Sequence, residues 1–169
     1  EMFESRAGGT DTWQDVSPSL GSLDWLGDFI QFGDDVIFVG SGHTPVKKTL
    51  SATHATLFSN LAGSPPTAKC GARVRQHVVL GNFAGDDIYA VQWCAIGDHE
   101  DWPTAGTSDA LSKQAGRESL NPEYGQVNAV LGGEKFGIVV QDKALTRMTY
   151  VGGSTVYEFD TYERFEGRY

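Results

Sequence analysis

Short apolar runs bounded by turn residues dominate the chain, and stretches with helical periodicity are hard to find. The runs are a few residues long and end at Gly, Asp, Asn or Pro, which is typical of antiparallel strands joined by tight turns. The chain has 21 glycines in 169 residues, and tight turns often need the positive φ that glycine adopts without steric cost. We therefore predict an all-β, antiparallel fold.

Three parts of the sequence look like variations of one unit. Each contains apolar runs around or beside a turn, at residues 28–40, 72–81 and 127–140. Each is followed by a run that can pair as an outer hairpin, at residues 46–50, 87–93 and 144–150. Each unit thus offers about four strands, which is the content of a β-propeller blade. The sequence predicts about two to three propeller-like blades, with one more strand at 155–165 after a turn at Gly152 and Gly153.

The units are unevenly spaced, with the longer interval before the third. Residues 103–125, rich in Gly, Ser, Thr, Asn and Pro, would account for it as a surface loop insertion. We expect residues 1–169 to form a single propeller-like structural module, because a chain of this length can bury a core of its own. Two to three blades leave open sheet edges. Either further chain, if this is a fragment of a longer polypeptide, or a neighbouring subunit would cover them.

Composition narrows the function classes. The formal net charge is −9, from 13 basic and 22 acidic residues. This charge argues against sequence-independent binding to the phosphates of nucleic acids. No apolar run approaches the ~20 residues of a membrane-spanning helix, so we expect no membrane span. Cys70 and Cys94 are too few for a disulfide scaffold and wrongly spaced for a zinc knuckle. They are expected to be buried thiols, with a single bridge between them as the other possibility.

Several segments, taken in order, resemble one family of phage proteins. These are Ser64–Lys69, Val78–Gly81, Ile88–Pro103 and Gln126–Gly153. They are similar to the tail nozzle (tail tubular protein B-like) and packaged-DNA-stabilising head-closure proteins of short-tailed bacteriophages, over roughly residues 60–165 and more loosely over 10–60. Cys94 stands where the family pattern has Ser. The resemblance implies a structural virion protein of the tail or head–tail connector, which forms part of the DNA exit channel and helps to retain and release the genome.

The same resemblance implies partners. It predicts a ring-forming homo-oligomer, sixfold by analogy with the family, with neighbouring portal, adaptor and tail proteins and the transient passage of genomic DNA. It implies no cofactor and no enzymatic activity. Arg73 and Arg75 occupy alternate positions of a predicted strand and would project from one face. They are the candidate channel-facing or DNA-facing residues, and a solvated face or an intersubunit salt bridge is the other interpretation.

The acidic segment Asp98–Asp101 contains three acids and one histidine, a composition that invites a metal-site interpretation. Neighbouring side chains in a turn point apart, and no second set of ligands lies at a usable spacing, so we expect no metal. Gly97 and Asp98 are predicted to start a turn, Asp101 to cap it by accepting backbone N–H groups, and Trp102 to anchor the loop on the sheet.

The sequence contains neither a Gly-x-Ser-x-Gly elbow nor a His-Glu-x-x-His pair, and we predict no catalytic residue. A hydrolase built on a propeller stays open, since unrelated folds can assemble the same catalytic groups. The alternative function is a glycan- or receptor-binding β module, such as a tail adhesin or a secreted lectin-like domain. Exposed, stacked aromatic residues would favour that alternative, and aromatic residues buried between sheets would favour a scaffold. The residues concerned are Trp13, Trp25, Trp93, Trp102, Tyr89, Tyr124 and Tyr150.

Overall fold

The structure is a computed structural model that describes residues 2–4, 14–17, 26–40, 43–85 and 87–164. Within these ranges the chain forms three four-stranded antiparallel sheets and one two-stranded sheet. The small sheet pairs β1 (Phe3–Glu4) with β2 (Gln14–Asp15). The first large sheet contains β3 (Gly27–Phe32), β4 (Asp35–Gly40), β5 (Val46–Thr49) and β6 (Ser59–Asn60).

The second and third large sheets follow in chain order. The second contains β7 (Ala68–Val74), β8 (His77–Phe83), β9 (Ala90–Trp93) and β10 (Gly116–Ser119). The third contains β11 (Val127–Leu131), β12 (Phe136–Gln141), β13 (Ala144–Gly152) and β14 (Val156–Arg164). The helix α1 (Ser108–Ser112) and a 3₁₀ turn (Pro122–Tyr124) connect strands. In every large sheet each strand pairs with the next in sequence, so the prediction of an all-β, antiparallel fold is confirmed.

The three sheets pack in series through their first strands. Strand β7 contacts β3 and β4, and β11 contacts β7 and β8. One apolar core, with Ile30, Ile37 and Leu80, lies between the first and second sheets, and another, with Val79 and Met148, lies between the second and third. Every residue of β8 is buried, because this central strand of the middle sheet is covered on both faces. A closed propeller stays a prediction.

A third apolar cluster lies on the other face of the first sheet. Met2 and Val16, next to β1 and β2, pack there with Phe38, Val46 and Phe58. The cluster borders a pocket of about 160 Å³. The N-terminal residues that the structure describes thus cover part of the first sheet's outer face.

Two segments differ from the sequence expectation. The run 72–81 is not one strand, because β7 ends at Val74 and β8 begins at His77, and Arg75 in the turn between them has a φ of +54°. Residues 103–125, expected as a surface loop insertion, contain α1 and also β10, which supplies the fourth strand of the second sheet. The residues of this segment that are buried are Ala110, Ala115 and Leu120.

Candidate functional site

The first strands of the three large sheets border an open groove. Its volume is about 560 Å³, and it is lined by residues 28–31 of β3, 71–73 of β7 and 130–134 in and after β11. Strands β3, β7 and β11 are each the edge strand of their sheet. The groove is therefore bordered by strand edges.

Arg73 lies in the wall of this groove. Its Nε donates to the carbonyl of Arg75 (2.9 Å), one of its terminal nitrogens lies 3.7 Å from Glu134 Oε1, and its guanidinium lies 5.7 Å from the centre of the Phe32 ring. Asp28, also in the groove wall, accepts a 3.0 Å hydrogen bond from the Gly71 amide. The groove thus carries both signs of charge, which suits local polar contacts better than a continuous track for phosphates.

Arg75 does not share a strand face with Arg73, contrary to the sequence expectation. The alternation of side chains applies only within a strand, and β7 ends one residue before Arg75. From the turn, its guanidinium stacks over the Tyr150 ring at 4.2 Å, a cation–π contact with the third sheet. Of the two arginines, Arg73 therefore lies in the groove wall and Arg75 does not.

The segment from Gly97 to Trp102 forms the expected turn. Gly97 has a φ of +75°, and its amide donates to the Gln76 carbonyl at 2.8 Å. Trp102 is 7% exposed and donates its indole N–H to the His99 carbonyl at 2.8 Å, so it anchors the turn as predicted. The capping carboxylate is that of Asp98, which accepts from the Glu100 amide at 2.9 Å.

Asp101 has a different role from the predicted cap. Its carboxylate lies 2.9 Å from Lys113 Nζ, and its backbone carbonyl accepts from the Ala95 amide at 2.8 Å. An aspartate closes an Asx turn when its carboxylate accepts from the amide two residues later in the chain. Asp98 holds that position relative to Glu100, so Asp98 caps the turn. The carboxylate of Asp101 instead ties the turn to the residue that follows α1.

The side chains of this acidic segment point to separate partners. His99 Nε2 lies 2.9 Å from Asp35 Oδ2, although out of line for a hydrogen bond, and Glu100 Oε1 lies 3.1 Å from Lys47 Nζ. Among the residues that the structure describes, no group of three or more His, Cys, Asp or Glu is arranged to hold a metal ion. The segment acts as a clamp between the first and second sheets.

Asp35 is the centre of this clamp. Burial raises the pKa of its carboxyl, but hydrogen bonds from Thr49 (2.5 Å) and Lys47 (3.0 Å), with the charges of Lys47 and His99, outweigh burial and lower the pKa. Burial lowers the pKa of Lys47, and Asp35 and Glu100 more than reverse this effect. Sequence reasoning missed the clamp because its members lie on β4, β5 and a distant turn, with no motif to link them.

A second polar cluster lies between the second and third sheets. His77 Nδ1 is 2.8 Å from the Tyr157 hydroxyl, and His77 Nε2 is 3.1 Å from the Gln114 carbonyl. The indole of Trp93 donates to the same carbonyl at 3.1 Å, and its ring meets that of Tyr157 edge-on. The ring of Trp93 is 4% exposed and that of Tyr157 is 3% exposed, so they form core.

The tryptophans of the described residues are thus core residues. Trp93 and Trp102 are both buried, whereas Trp13 and Trp25 lie outside the described residues. Tyr89, Tyr124 and Tyr150 are half-buried. The described aromatic side chains therefore do not form the exposed stack that would favour glycan binding.

The two cysteines are buried free thiols, as one of the two sequence interpretations predicted. Burial raises the pKa of Cys70 and of Cys94 to about 12. Both thiols therefore stay protonated at neutral pH, and the reactive species of a cysteine is its thiolate. Cys94 accepts a contact from the Val78 amide at 3.1 Å, so its sulfur has a structural partner.

No known protein family, curated protein or solved structure matches this chain. The resemblance to phage nozzle and head-closure proteins therefore stays a prediction from the sequence. No helix in the described part of the chain is long and apolar enough to cross a membrane.

Proposed function

We propose that this chain is a structural scaffold of a virion, a module of the tail nozzle or head-closure ring of a tailed phage. In this proposal it works through shape and surface contacts, without catalysis or a cofactor, and the groove along the first strands faces the DNA path with Arg73 in its wall. The phage assignment depends on the sequence resemblance. The scaffold role is supported by the packing of the sheets.

The observation that carries the scaffold role is the outer face of the third sheet. Side chains alternate along a strand, and in this sheet Val130, Val139 and Met148 point into the core shared with the second sheet. Their neighbours point the other way and form the outer face, whose apolar members are Leu131, Phe136, Ile138, Val140 and Leu145. Leu131 is 56% exposed and Phe136 is 40% exposed.

The outer face of the first sheet is covered in part, by Met2, Val16 and Phe58, although Phe29 on that face is 63% exposed. The second sheet is packed on one face by the first sheet and on the other by the third.

Of the five apolar residues on the outer face of the third sheet, Leu131 and Phe136 are exposed, and the other three are half-buried. Apolar surface left open to solvent commonly marks a site of association. We propose that a second copy of the chain packs on the outer face of the third sheet. We propose that this face meets a different surface of the neighbouring copy, since repeated contacts between unlike surfaces build rings or filaments.

The glycan-binding alternative has less support from the described residues. A sugar platform needs exposed aromatic faces beside polar groups, and Trp93 and Trp102 are buried. Of the exposed aromatic residues, Phe29 lies on the first sheet, and Phe136 and Tyr162 lie on β12 and β14 of the third sheet, which β13 separates. No observation on the described side chains favours this alternative over the scaffold.

Sedimentation analysis of the purified chain over a wide concentration range tests the association. We expect the wild-type mass to rise with concentration and Phe136→Glu to weaken association about tenfold or more, since it buries a charge in the contact. Leu111→Glu, at an exposed position of α1, is the matched control and should associate like the wild type. A wild-type chain that sediments as a single copy at every concentration contradicts the proposed contact.

A further inference from the structure

His77 sits at the junction between the second and third sheets with both ring nitrogens engaged. Its side chain is 0% exposed. A neutral imidazole has one donor and one acceptor nitrogen. Nε2 faces the Gln114 carbonyl at 3.1 Å, which can only accept, so Nε2 carries the proton. Nδ1 is then the acceptor, and the Tyr157 hydroxyl donates to it at 2.8 Å.

The Tyr157 hydroxyl has a second partner. It lies 3.2 Å from the carbonyl of Val74, the last residue of β7. A hydroxyl has one hydrogen, so while it donates to His77 it cannot also donate to Val74. If His77 is protonated at Nδ1, that nitrogen becomes a donor to the Tyr157 oxygen, and the hydroxyl hydrogen can turn to the Val74 carbonyl. The geometry therefore supports two hydrogen-bond arrangements that differ by one proton taken from solvent.

The surroundings of His77 favour its neutral form. Burial lowers the pKa of His77 to about 4, although the hydrogen bond to Gln114 raises it, and the charge of Arg75 lowers it further. The titratable groups that face His77 and Tyr157 are Arg75 from its own hairpin, Cys94 from the segment after β9, and Tyr150 from β13. None of them is a carboxylate. A protonated His77 would thus be a buried cation without a counter-ion, which costs stability at this junction.

We propose that His77 and Tyr157 form an acid-sensitive latch between the second and third sheets. On acidification His77 accepts a proton at Nδ1, Tyr157 turns its hydroxyl to the Val74 carbonyl, and the junction loosens. The junction between the first and second sheets is held by a carboxylate, because there Asp35 lies 2.9 Å from His99. The pKa of Asp35 is lowered below 3.8, so this junction stays closed at the pH where His77 takes up its proton and weakens only at lower pH. This device goes beyond the proposed scaffold role, since it holds whether or not the chain assembles.

An NMR titration of the full chain tests the latch without any substitution. At pH 7 the His77 ring should show the Nε2–H tautomer, and its shifts should titrate with a midpoint near pH 4. Close to the midpoint, where Asp35 of the other junction is still ionised, the Trp93 indole N–H, which bonds to Gln114, should exchange with solvent about tenfold faster relative to the Trp102 indole N–H. The Trp102 signal is an internal control for the pH dependence of chemical exchange.

Substitution of Tyr157 by Phe tests the role of its hydroxyl. The ring stays, but the cation loses the acceptor for Nδ1–H, and hydrogen bonds to charged groups are the stronger ones. Tyr157→Phe should therefore lower the His77 midpoint further, by roughly half a pH unit or more. His43→Gln, at a half-buried position before β5, should leave that titration unchanged. A His77 midpoint near 6.5, an Nδ1–H tautomer at pH 7, or equal responses of the two indoles would overturn the latch.

Discussion

His99 Nε2 lies 2.9 Å from Asp35 Oδ2, and this contact joins the turn after β9 to the first sheet. The His99 ring also packs 5.0 Å from that of Phe32, at the end of β3. Lys47 extends the clamp, because its ammonium bridges Asp35 and Glu100 at 3.0 and 3.1 Å. The acidic segment that resembles a metal site in the sequence is therefore part of a clamp between the first and second sheets.

Removal of the charge at Asp35 should weaken this clamp. Asp35 and Lys47 are 13% and 19% exposed, and loss of one partner leaves the other charge poorly compensated. We expect Asp35→Asn to lower the free energy of unfolding at pH 7 by about 1 to 3 kcal/mol, measured by urea denaturation. Glu134→Gln is the control, because Glu134 is 82% exposed and lies 3.7 Å from Arg73. It should change stability by less than about 0.5 kcal/mol.

The effect of Asp35→Asn should also depend on pH. The folded protein lowers the pKa of Asp35 below its ordinary 3.8, so the unfolded chain binds this proton first as pH falls. Asp35 contributes fully to the free energy of unfolding above the pKa that it has in the unfolded chain. This contribution is lost as pH falls through the pKa that it has in the folded protein. The difference between wild type and variant should therefore shrink below about pH 4. A difference that is constant from pH 7 to pH 3 would show that the carboxylate charge is not responsible.

Trp102 should be one of the most sensitive positions in the turn. Trp102→Ala removes a buried ring and should destabilise the chain by about 3 to 5 kcal/mol. Trp102→Phe keeps an aromatic ring but loses the hydrogen bond to the His99 carbonyl, at a cost of about 1 to 3 kcal/mol. Tyr162→Ala is the exposed control, since Tyr162 is 70% exposed. Thermal and urea unfolding would rank the three variants, and equal effects at Trp102 and Tyr162 would contradict the anchor.

Gly63 and Gly85 offer a matched pair for the packing of the same turn. Both have positive φ, at +78° and +92°. A Cβ at Gly63 would lie 1.9 Å from the Glu100 carbonyl oxygen, whereas one at Gly85 would meet no atom within 4 Å. Gly85→Ala should cost about 1 kcal/mol from backbone strain alone. Gly63→Ala should cost at least about 2 kcal/mol more, because backbone atoms must shift. Equal denaturation midpoints for the two variants would be inconsistent with this close approach.

The hairpins with strong turn signals were predictable from the sequence. Gly33 and Asp34 separate β3 from β4, and Gly152 and Gly153 mark the turn from β13 to β14. Gly152 is the last residue of β13, so Gly153 is the glycine that lies between these two strands. In each case an apolar or alternating run flanks residues that adopt turn conformations readily. These local signals are sufficient for the all-β fold.

Tertiary contacts determine the features that the sequence did not predict. Arg75 adopts a positive φ in a turn that contains no Gly, Asn or Pro, so no local signal divides β7 from β8. Strand β10 is polar, with the sequence Gly-Arg-Glu-Ser, and it forms through pairing with β9. The clamp of Asp35 and His99 joins distant residues, and periodicity carries no information about such pairs.

A cryo-electron-microscopy reconstruction of the particle that contains this chain tests the central claim most directly. We expect density for the three sheets as one unit of a symmetric ring around the tail axis, with the outer face of the third sheet covered and Arg73 towards the DNA path. A chain found outside any virion, or present as a single copy with that outer face in solvent, would contradict the scaffold assignment.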